Sequence, residues 1–269
     1  FGVHKALDQV GAFAGPLVVS AVVALASLWA GMAVLAVPGA VAMVLLFALR
    51  RRVPDPSVYD EASTVAAPEE QERRGWWAEA VGAGLSGDFF RYALAASLTT
   101  GALVTFGIIG YHLTVEGIVP VAAVPIVYAA AMAVEAVAAL LVGTAYDRTG
   151  PRVLLVVPVL VALVPALALG PALVAVLAGV VAWGVAQGVQ DSTIKAVVAD
   201  LVEAPRRATA YGVFAGIQGL LAIIGGVAAG WLYERSLVAL VVVVSLTQVV
   251  ALALLVDTFR RSALRHRAG

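Results

Sequence analysis

A single carboxylate, Glu135, lies inside an otherwise uncharged apolar run at 118–143. A charge near the centre of a lipid bilayer costs about 2.5–3.5 kcal/mol on insertion scales. A carboxylate in such surroundings favours its protonated form, which suits a reversible proton carrier. Helical spacing puts Tyr128, Met132 and Ala139 on the same face. The pattern predicts that Glu135 is a protonatable carrier group; a structural carboxylate paired to another helix is the alternative.

A second polar face lies at the end of the apolar run that begins at residue 172. Helical spacing places Trp183, Gln187, Gln190 and Asp191 together. An aromatic ring beside two amides and a carboxylate can line the path of a small solute. Because Asp191 stands four residues before Lys195, a simple ion pair between these two is the alternative for Asp191.

Three further residues complete the predicted solute path. Phe214 and Gln218 share a helical face with Tyr211. An amide within lipid needs a hydrogen-bonding partner, so Gln218 is the more informative of the two. Tyr128, on the Glu135 face, is also assigned to the path.

The residues needed for enzyme chemistry are not grouped in this sequence. His4, His112 and His266 are far apart and have no metal-ligand spacing, and the chain has no cysteine. No phosphate-binding glycine loop and no serine with an evident base can be found. We therefore expect no enzyme activity, no metal and no cofactor.

The composition is that of a membrane protein. Hydrophobic residues make up 62% of the 269 residues and charged residues 13%, and the mean hydropathy is +1.00. Apolar runs long enough to cross a bilayer recur, and they are continuous rather than alternating, which favours helices over a barrel. A net charge of zero argues against a nucleic-acid surface. We predict an all-α membrane protein in contact with the lipid bilayer.

Eight transmembrane helices are predicted by these runs. The predicted spans are 8–27, 30–49, 90–112, 118–143, 152–170, 172–190, 208–232 and 236–257. With eight crossings, sixteen of the seventeen Lys and Arg residues fall on one side, and only Arg235 falls on the other. Since basic residues are retained in the cytoplasm, that side is predicted to be cytoplasmic, with both termini and the loop at 50–88. The expected location is the inner (cytoplasmic) membrane.

Residues 1–52 align without gaps on residues 211–262. The alignment pairs Gly2 with Gly212, and it ends with an arginine pair in each copy. Internal repeats in a hydrophobic chain are typical of transporters built from two similar halves. Four predicted spans precede the second copy and none precedes the first, so we expect a chain that lacks the start of its first half.

The repeat implies a division of the chain. Residues 1–49 are predicted to be a remnant of the N-terminal half with two transmembrane helices, and 50–88 a cytoplasmic loop between the halves. Residues 89–262 would form the C-terminal half with six helices, and 263–269 a cytoplasmic tail.

The segment GTAYDRTGPR at 143–152 has the residues of a conformational switch. Gly143 would allow close helix approach, and Asp147 and Arg148 would form a fixed charge pair at the turn. Gly150 permits a tight bend. A contact made in one conformation and broken in another biases a two-state equilibrium. An ordinary cytoplasmic turn is the alternative.

This segment resembles the G-x-x-x-D-R-x-G-x-R loop signature of the major facilitator superfamily. Arg152 matches the closing basic position, whereas Pro151 stands where a basic residue is frequent. The segment DLVEAPRRATAYG at 200–212 is similar to the junction before the penultimate helix of that family, and its Asp200 and Glu203 are placed to pair with Arg148 or Arg152.

The Gly11-x-x-x-Gly15-Pro16 motif is similar to the antiporter signature of some drug–proton exchangers in the superfamily. Its glycines would allow close helix packing, and its proline a kink. Small residues at this spacing are also common in any membrane helix.

The resemblance extends over nearly the whole chain and matches the last eight of twelve helices. It implies a helical bundle with two pseudo-repeated halves, the first incomplete. It implies secondary active transport of a small solute by alternating access, coupled to protons and with a slight lean to efflux, by an intact protein that is a monomer. A non-transporting membrane fragment, or a helical interaction module from a truncated gene, is the alternative.

Overall fold

A computed structural model of the chain describes residues 2–53 and 82–268, and within these ranges it contains helices and no strand. The α-helices are α1 (Gly2–Leu25), α2 (Leu28–Val34), α3 (Ala36–Arg52), α4 (Gly87–Ala102), α5 (Phe106–Val115), α6 (Val124–Thr149), α7 (Val156–Ala168), α8 (Leu173–Leu201), α9 (Arg207–Arg235) and α10 (Leu237–Ala268). Short 3-10 turns occupy Val121–Ala123, Gly150–Leu155 and Ala204–Arg206. The predicted all-α fold class is confirmed.

Six segments of the described residues are long and apolar enough to cross a membrane. One of them, Val121–Ala168, is 48 residues long and contains both α6 and α7, while α1 contributes the shorter apolar stretch Gly11–Leu25. Each of the eight predicted spans is therefore occupied by helix. The predicted tail is less distinct, because α10 continues to Ala268.

Hydrogen bonds fix the directions of the helices around α8. Ser192 Oγ donates to the Ala139 carbonyl oxygen (3.2 Å), and Gly184 lies against Ala131, so α6 and α8 run the same way. Tyr92 Oη donates to the Ile194 carbonyl oxygen (3.3 Å) near one end of α8. Because Trp183, earlier in α8, contacts a residue after α4, α4 and α8 run in opposite directions. These directions are the ones expected if each successive span crosses the membrane in the direction opposite to the span before it.

The chain reverses between α6 and α7 at Gly150. This residue has φ +64° and ψ −153°, a backbone conformation that residues with a side chain rarely adopt. Gly179 of α8 lies against Ala168 at the far end of α7. At the near end, Leu154 and Ile194 line one small internal cavity. α7 thus runs antiparallel to α8, whereas α6 runs parallel to α8.

Besides Gly179 between α7 and α8, glycines bring two further pairs of helices into backbone contact. A Cβ atom at Gly101 of α4 would lie 2.6 Å from the Leu221 carbonyl oxygen of α9, and one at Gly184 would lie 2.7 Å from the Ala131 carbonyl oxygen. Gly188 approaches the backbone of α6 in the same way, one turn after Gly184. Close packing without side chains is how membrane helices associate when hydrophobic burial is not available.

Three glycines predicted to allow close approach make no such contact with the described residues. Gly11, Gly15 and Gly143 have no described atom within 4 Å of the position a Cβ would take. Small-residue spacing reports a capacity for close packing, and only contact with a second helix uses it. The packing role of these three glycines therefore stays a prediction. Pro16 lies inside α1, which continues through it from Gly2 to Leu25.

Two predicted spans are interrupted. The span at 30–49 divides at Leu35 into α2 and α3. Pro38 explains this division, because it has no N–H for the Val34 carbonyl and its ring crowds that oxygen. The span at 90–112 was predicted as one helix and is two, with Leu103–Thr105 non-helical between α4 and α5.

The described helices differ in how much of their surface is buried by other helices. α1 packs on α6 and on the 3-10 turn before it, where Ser20 Oγ donates to the Ala122 carbonyl oxygen (2.6 Å). In the most apolar window of the α2–α3 span no residue is buried. In the corresponding window of the α9 span, 11% of the residues are buried. α9 ends at Arg235, 210 residues after the end of α1 at Leu25, which is the offset of the sequence repeat.

The basic side chains gather at one end of the bundle. There Arg206 Nη1 donates to the Gly84 carbonyl oxygen (2.6 Å), and the Tyr146 hydroxyl donates to Asp200 Oδ2 (2.9 Å). These contacts join the start of α4, the end of α6 and the α8–α9 junction. Arg235 lies at the opposite end. The cytoplasmic orientation of the basic end stays a prediction, and residues 54–81 of the predicted 50–88 loop lie outside the described residues.

Candidate functional site

The interruption between α4 and α5 lies within a segment long enough to cross a membrane. Leu103 and Val104 are buried, so the polar groups of their backbone need partners inside the protein. Trp183 Nε1 donates to the Val104 carbonyl oxygen (2.9 Å). The carbonyl oxygen of Thr105 accepts from the backbone N–H of Ile108 (3.1 Å) at the start of α5. α8 therefore supports the interruption.

Two threonines precede the interruption and contribute to it. The hydroxyls of Thr99 and Thr100 donate to the carbonyl oxygens of Ala95 and Ala96, each at 3.0 Å. Such bonds to the residue four positions earlier compete with the helical pattern and often bend helices.

Thr100 also joins three helices. Its hydroxyl lies 2.6 Å from Gln190 Oε1 of α8, and Gln218 Nε2 of α9 donates to Thr100 Oγ1 (3.1 Å). Gln190 Nε2 donates to the Ala186 carbonyl oxygen (3.2 Å). The single hydroxyl proton of Thr100 has two possible acceptors, Gln190 and Ala96, so the cluster can exchange partners without breaking a helix.

The amide of Gln218 retains capacity for a solute. Gln218 is half-buried and uses one N–H in its bond to Thr100. Its carbonyl oxygen and second N–H are the groups that a polar solute could engage. Gln190 and Gln218 were predicted as path residues because amides in apolar runs are conspicuous. Thr100 was missed, because a threonine in a helix can satisfy itself against its own backbone.

Three aromatic rings lie beside the interruption. The ring of Phe106 is 4.7 Å from that of Tyr128 and 5.8 Å from that of Trp183, measured between centroids. They belong to α5, α6 and α8. Glu135 follows Tyr128 by two turns of α6 and is 8% exposed. The structure thus brings Tyr128 and Trp183 together and places Glu135 on the same side of α6.

The remaining predicted path residues lie differently. Phe214 is buried against Tyr92, with ring centroids 6.2 Å apart and planes at 24°, so its contact is one of packing. Gln187 is half-buried one turn after Trp183, and Asp191 is exposed. The side chain of Lys195 lies outside the described residues.

The 143–152 segment contains no Asp147–Arg148 ion pair among the described contacts, and both side chains are exposed. The predicted charge pair was wrong because successive helical residues point about 100° apart and do not face each other. Arg152 is exposed in the 3-10 turn. Asp200 accepts from Tyr146 and, among described contacts, from neither Arg148 nor Arg152 as predicted. Glu203 is exposed and has no ion pair there.

A buried histidine lies at the opposite end of the bundle. His112 Nδ1 is 2.9 Å from the Tyr233 hydroxyl, and Nε2 is 3.1 Å from the Gly170 carbonyl oxygen. A carbonyl only accepts, so Nε2 carries a proton and Nδ1 accepts from Tyr233 in the neutral ring. Within 2–53 and 82–268, no group of three or more His, Asp or Glu side chains is placed to hold a metal ion.

Antiparallel apolar helices, glycine-mediated crossings and a polar cluster at a discontinuous helix define a multi-pass helical membrane protein. The family model of the Major Facilitator Superfamily matches residues 89–269. The chain belongs to this superfamily, which is a family of membrane transporters. No solved structure matches the chain.

Three curated proteins resemble the chain at 42% identity over 257 residues. They are an uncharacterized protein of Mycobacterium bovis (strain ATCC BAA-935 / AF2122/97) and uncharacterized proteins of two Mycobacterium tuberculosis strains, CDC 1551 / Oshkosh and ATCC 25618 / H37Rv. The match covers 95% of this chain and 61% of each relative. The chain thus spans less than two thirds of the length of these relatives.

Proposed function

We propose that the protein moves a small solute across a membrane by alternating access, and that the solute passes the interruption between α4 and α5. The observation that supports this proposal is the hydrogen-bonded cluster of Thr100, Gln190 and Gln218. In it, side-chain amides from α8 and α9 meet beside non-helical backbone in a membrane span. Discontinuous helices of this kind form solute and ion sites in transporters, because unwound backbone is tolerated where it lines a cavity.

Glu135 is the proposed proton carrier. It is buried on a membrane-spanning helix, two turns after Tyr128, which belongs to the aromatic group at the interruption. Proton uptake neutralises a carboxylate that is costly to hold charged in lipid. A proton on Glu135 would therefore change the electrostatics beside the solute path, which is what coupling requires.

Efflux across the inner (cytoplasmic) membrane is the proposed direction and location. The lean to efflux rests on the resemblance of Gly11, Gly15 and Pro16 to an antiporter signature. The location rests on the basic end of the bundle, which the positive-inside rule assigns to the cytoplasm together with both termini and the 50–88 loop.

Solute-dependent proton flux tests the proposal. The sequence is rebuilt within a full-length relative, of which it spans 61%, and the substitutions are made in that protein. It is reconstituted into proteoliposomes that contain a trapped pH-sensitive dye, and a panel of small organic compounds is added one at a time. Glu135→Gln and the matched control Glu116→Gln, an exposed acid after α5, are measured beside the unaltered chain. We expect one or more compounds to move protons with the unaltered chain and Glu116→Gln, and none to do so with Glu135→Gln.

Two other results would contradict parts of the proposal. Unchanged proton flux in Glu135→Gln would show that Glu135 does not couple transport to protons. Folded, reconstituted protein that moves no compound of the panel would favour the membrane interaction module instead.

A further inference from the structure

The α2–α3 span ends in three consecutive arginines. The span Leu28–Arg52 is 25 residues long, and its most apolar window has no buried residue. Arg50, Arg51 and Arg52 are its last residues and its only charged ones. The described residues leave this window uncovered, although Gly31 earlier in the span is buried against α1. A membrane helix that ends in arginines places them at the depth of the headgroups.

The three guanidinium groups are exposed and distributed around the helix end. Arg51 Cζ lies 4.4 Å from the centroid of the Phe47 ring, one turn earlier. Successive helical residues point about 100° apart, so the three side chains spread around the axis and do not converge on one point. None of the three has an ion pair among the described residues.

Four other basic residues at this end of the bundle are engaged by the protein itself, whereas Arg148 and Arg152 have no ion pair among the described residues. Arg91 pairs with Asp88 at 2.8 Å, and Arg261 pairs with Asp257 at 2.8 Å. Arg206 and Arg207 donate to backbone carbonyl oxygens. The cluster at the end of α3 has no such protein partner in the described residues.

We propose that the arginine end of α3, formed by Phe47 and Arg50–Arg52, is a binding surface for the headgroups of anionic phospholipids. Guanidinium groups bind phosphate oxygens through two parallel hydrogen bonds. Basic residues next to a membrane span are attracted to an anionic lipid surface. Because the side chains spread, the surface engages several headgroups rather than one. The inference does not depend on the proposed solute path.

Carboxylates from the neighbouring chain are the competing occupants. The segment that follows contains Asp55, Asp60 and Glu61, and further acids at 69–72. If these neutralised the arginines, the surface would have no preference for anionic lipid. The preference is therefore the quantity to measure.

Lipid retention by the full chain provides the test. The protein is purified from an equimolar mixture of phosphatidylglycerol and phosphatidylcholine, and retained lipids are counted by native mass spectrometry. We expect the ratio of retained phosphatidylglycerol to phosphatidylcholine to fall by about tenfold in the combined variant R50Q/R51Q/R52Q. Arg235→Gln is the matched control, because Arg235 also stacks on an aromatic ring, Trp231, at 4.0 Å but at the other end of the bundle. It should change the ratio little.

A charge-conserving variant makes the test sharper. R50K/R51K/R52K retains the three positive charges, so it should keep most of the preference for phosphatidylglycerol. An equal ratio in the unaltered chain and the glutamine variant would overturn the proposal. So would an equal loss in the lysine and glutamine variants, or a loss in Arg235→Gln as large as in the glutamine variant.

Discussion

The indole Nε1 of Trp183 donates a hydrogen bond of 2.9 Å to the carbonyl oxygen of Val104. This bond joins α8 to non-helical backbone inside a membrane span, where no water is available to satisfy the carbonyl. Trp183 is thus a positioning residue for the interruption between α4 and α5, in addition to a member of the aromatic group with Phe106 and Tyr128.

Trp183→Phe should destabilise the bundle. The variant keeps a large apolar ring but removes the donor, and an unsatisfied buried carbonyl costs about 1–3 kcal/mol. Denaturant unfolding in detergent, followed by circular dichroism, measures the change. Trp29→Phe is the control, because Trp29 is 85% exposed. Equal stability of the two variants would show that the bond contributes nothing.

Thr100→Val should lower solute flux. The substitution keeps the shape of the side chain but leaves Gln190 Oε1 without the hydroxyl and Gln218 Nε2 without its acceptor. Hydrogen bonds between membrane helices contribute about 0.6 kcal/mol on average and up to about 1.7. Thr100→Ser should retain the flux. Thr247→Val is the control, because the Thr247 hydroxyl bonds only its own helix, at Val243; flux lost equally there would discredit the prediction.

Gly101→Ala should separate α4 from α9. The new methyl group would lie 2.6 Å from the Leu221 carbonyl oxygen, and overpacking of this kind costs about 1–3 kcal/mol. Gly219→Ala is the matched control, since no described atom lies within 4 Å of its Cβ position. Alanine there should be neutral or stabilise the helix by up to about 1 kcal/mol. Thermal unfolding in the same detergent compares the two, and equal midpoints would contradict the crossing.

Tyr146→Phe should alter transport more than stability. Its hydroxyl bond to Asp200 links the basic ends of α6 and α8 in an exposed position, so its net contribution to folding is small, about 1 kcal/mol or less. A contact between helix ends can still bias one conformation over another. The expected result is a changed rate of solute-dependent proton flux with an unfolding midpoint close to that of the unaltered chain. Control and variant are compared in the same proteoliposomes, and an unchanged rate would exclude a switching role.

Periodicity and hydropathy were sufficient to predict the helices and part of the site. Gln190 and Gln218 stand out as amides in apolar runs, and Gly150 as the residue of a turn, where its φ of +64° was then found. The interruption after Ala102 could not be predicted, because it depends on a donor 79 residues away and on threonine hydroxyls that are unremarkable in sequence. Glycine spacing likewise marks Gly11 and Gly184 equally, and only the neighbouring helix distinguishes them.

The length of α9 has a mechanical consequence. Its 29 residues extend from Arg207 to Arg235, about 43 Å along the axis, whereas the hydrocarbon core of a bilayer is about 30 Å thick. Including the headgroup regions, a bilayer is about 40–45 Å thick, so an upright α9 already places the arginine at each of its ends at the water boundary. A thinner membrane would be accommodated by tilting the helix. α9 is also in backbone contact with α4 at the Gly101 crossing, so a thinner membrane would tilt both helices together. That tilt would put strain on the non-helical segment between α4 and α5.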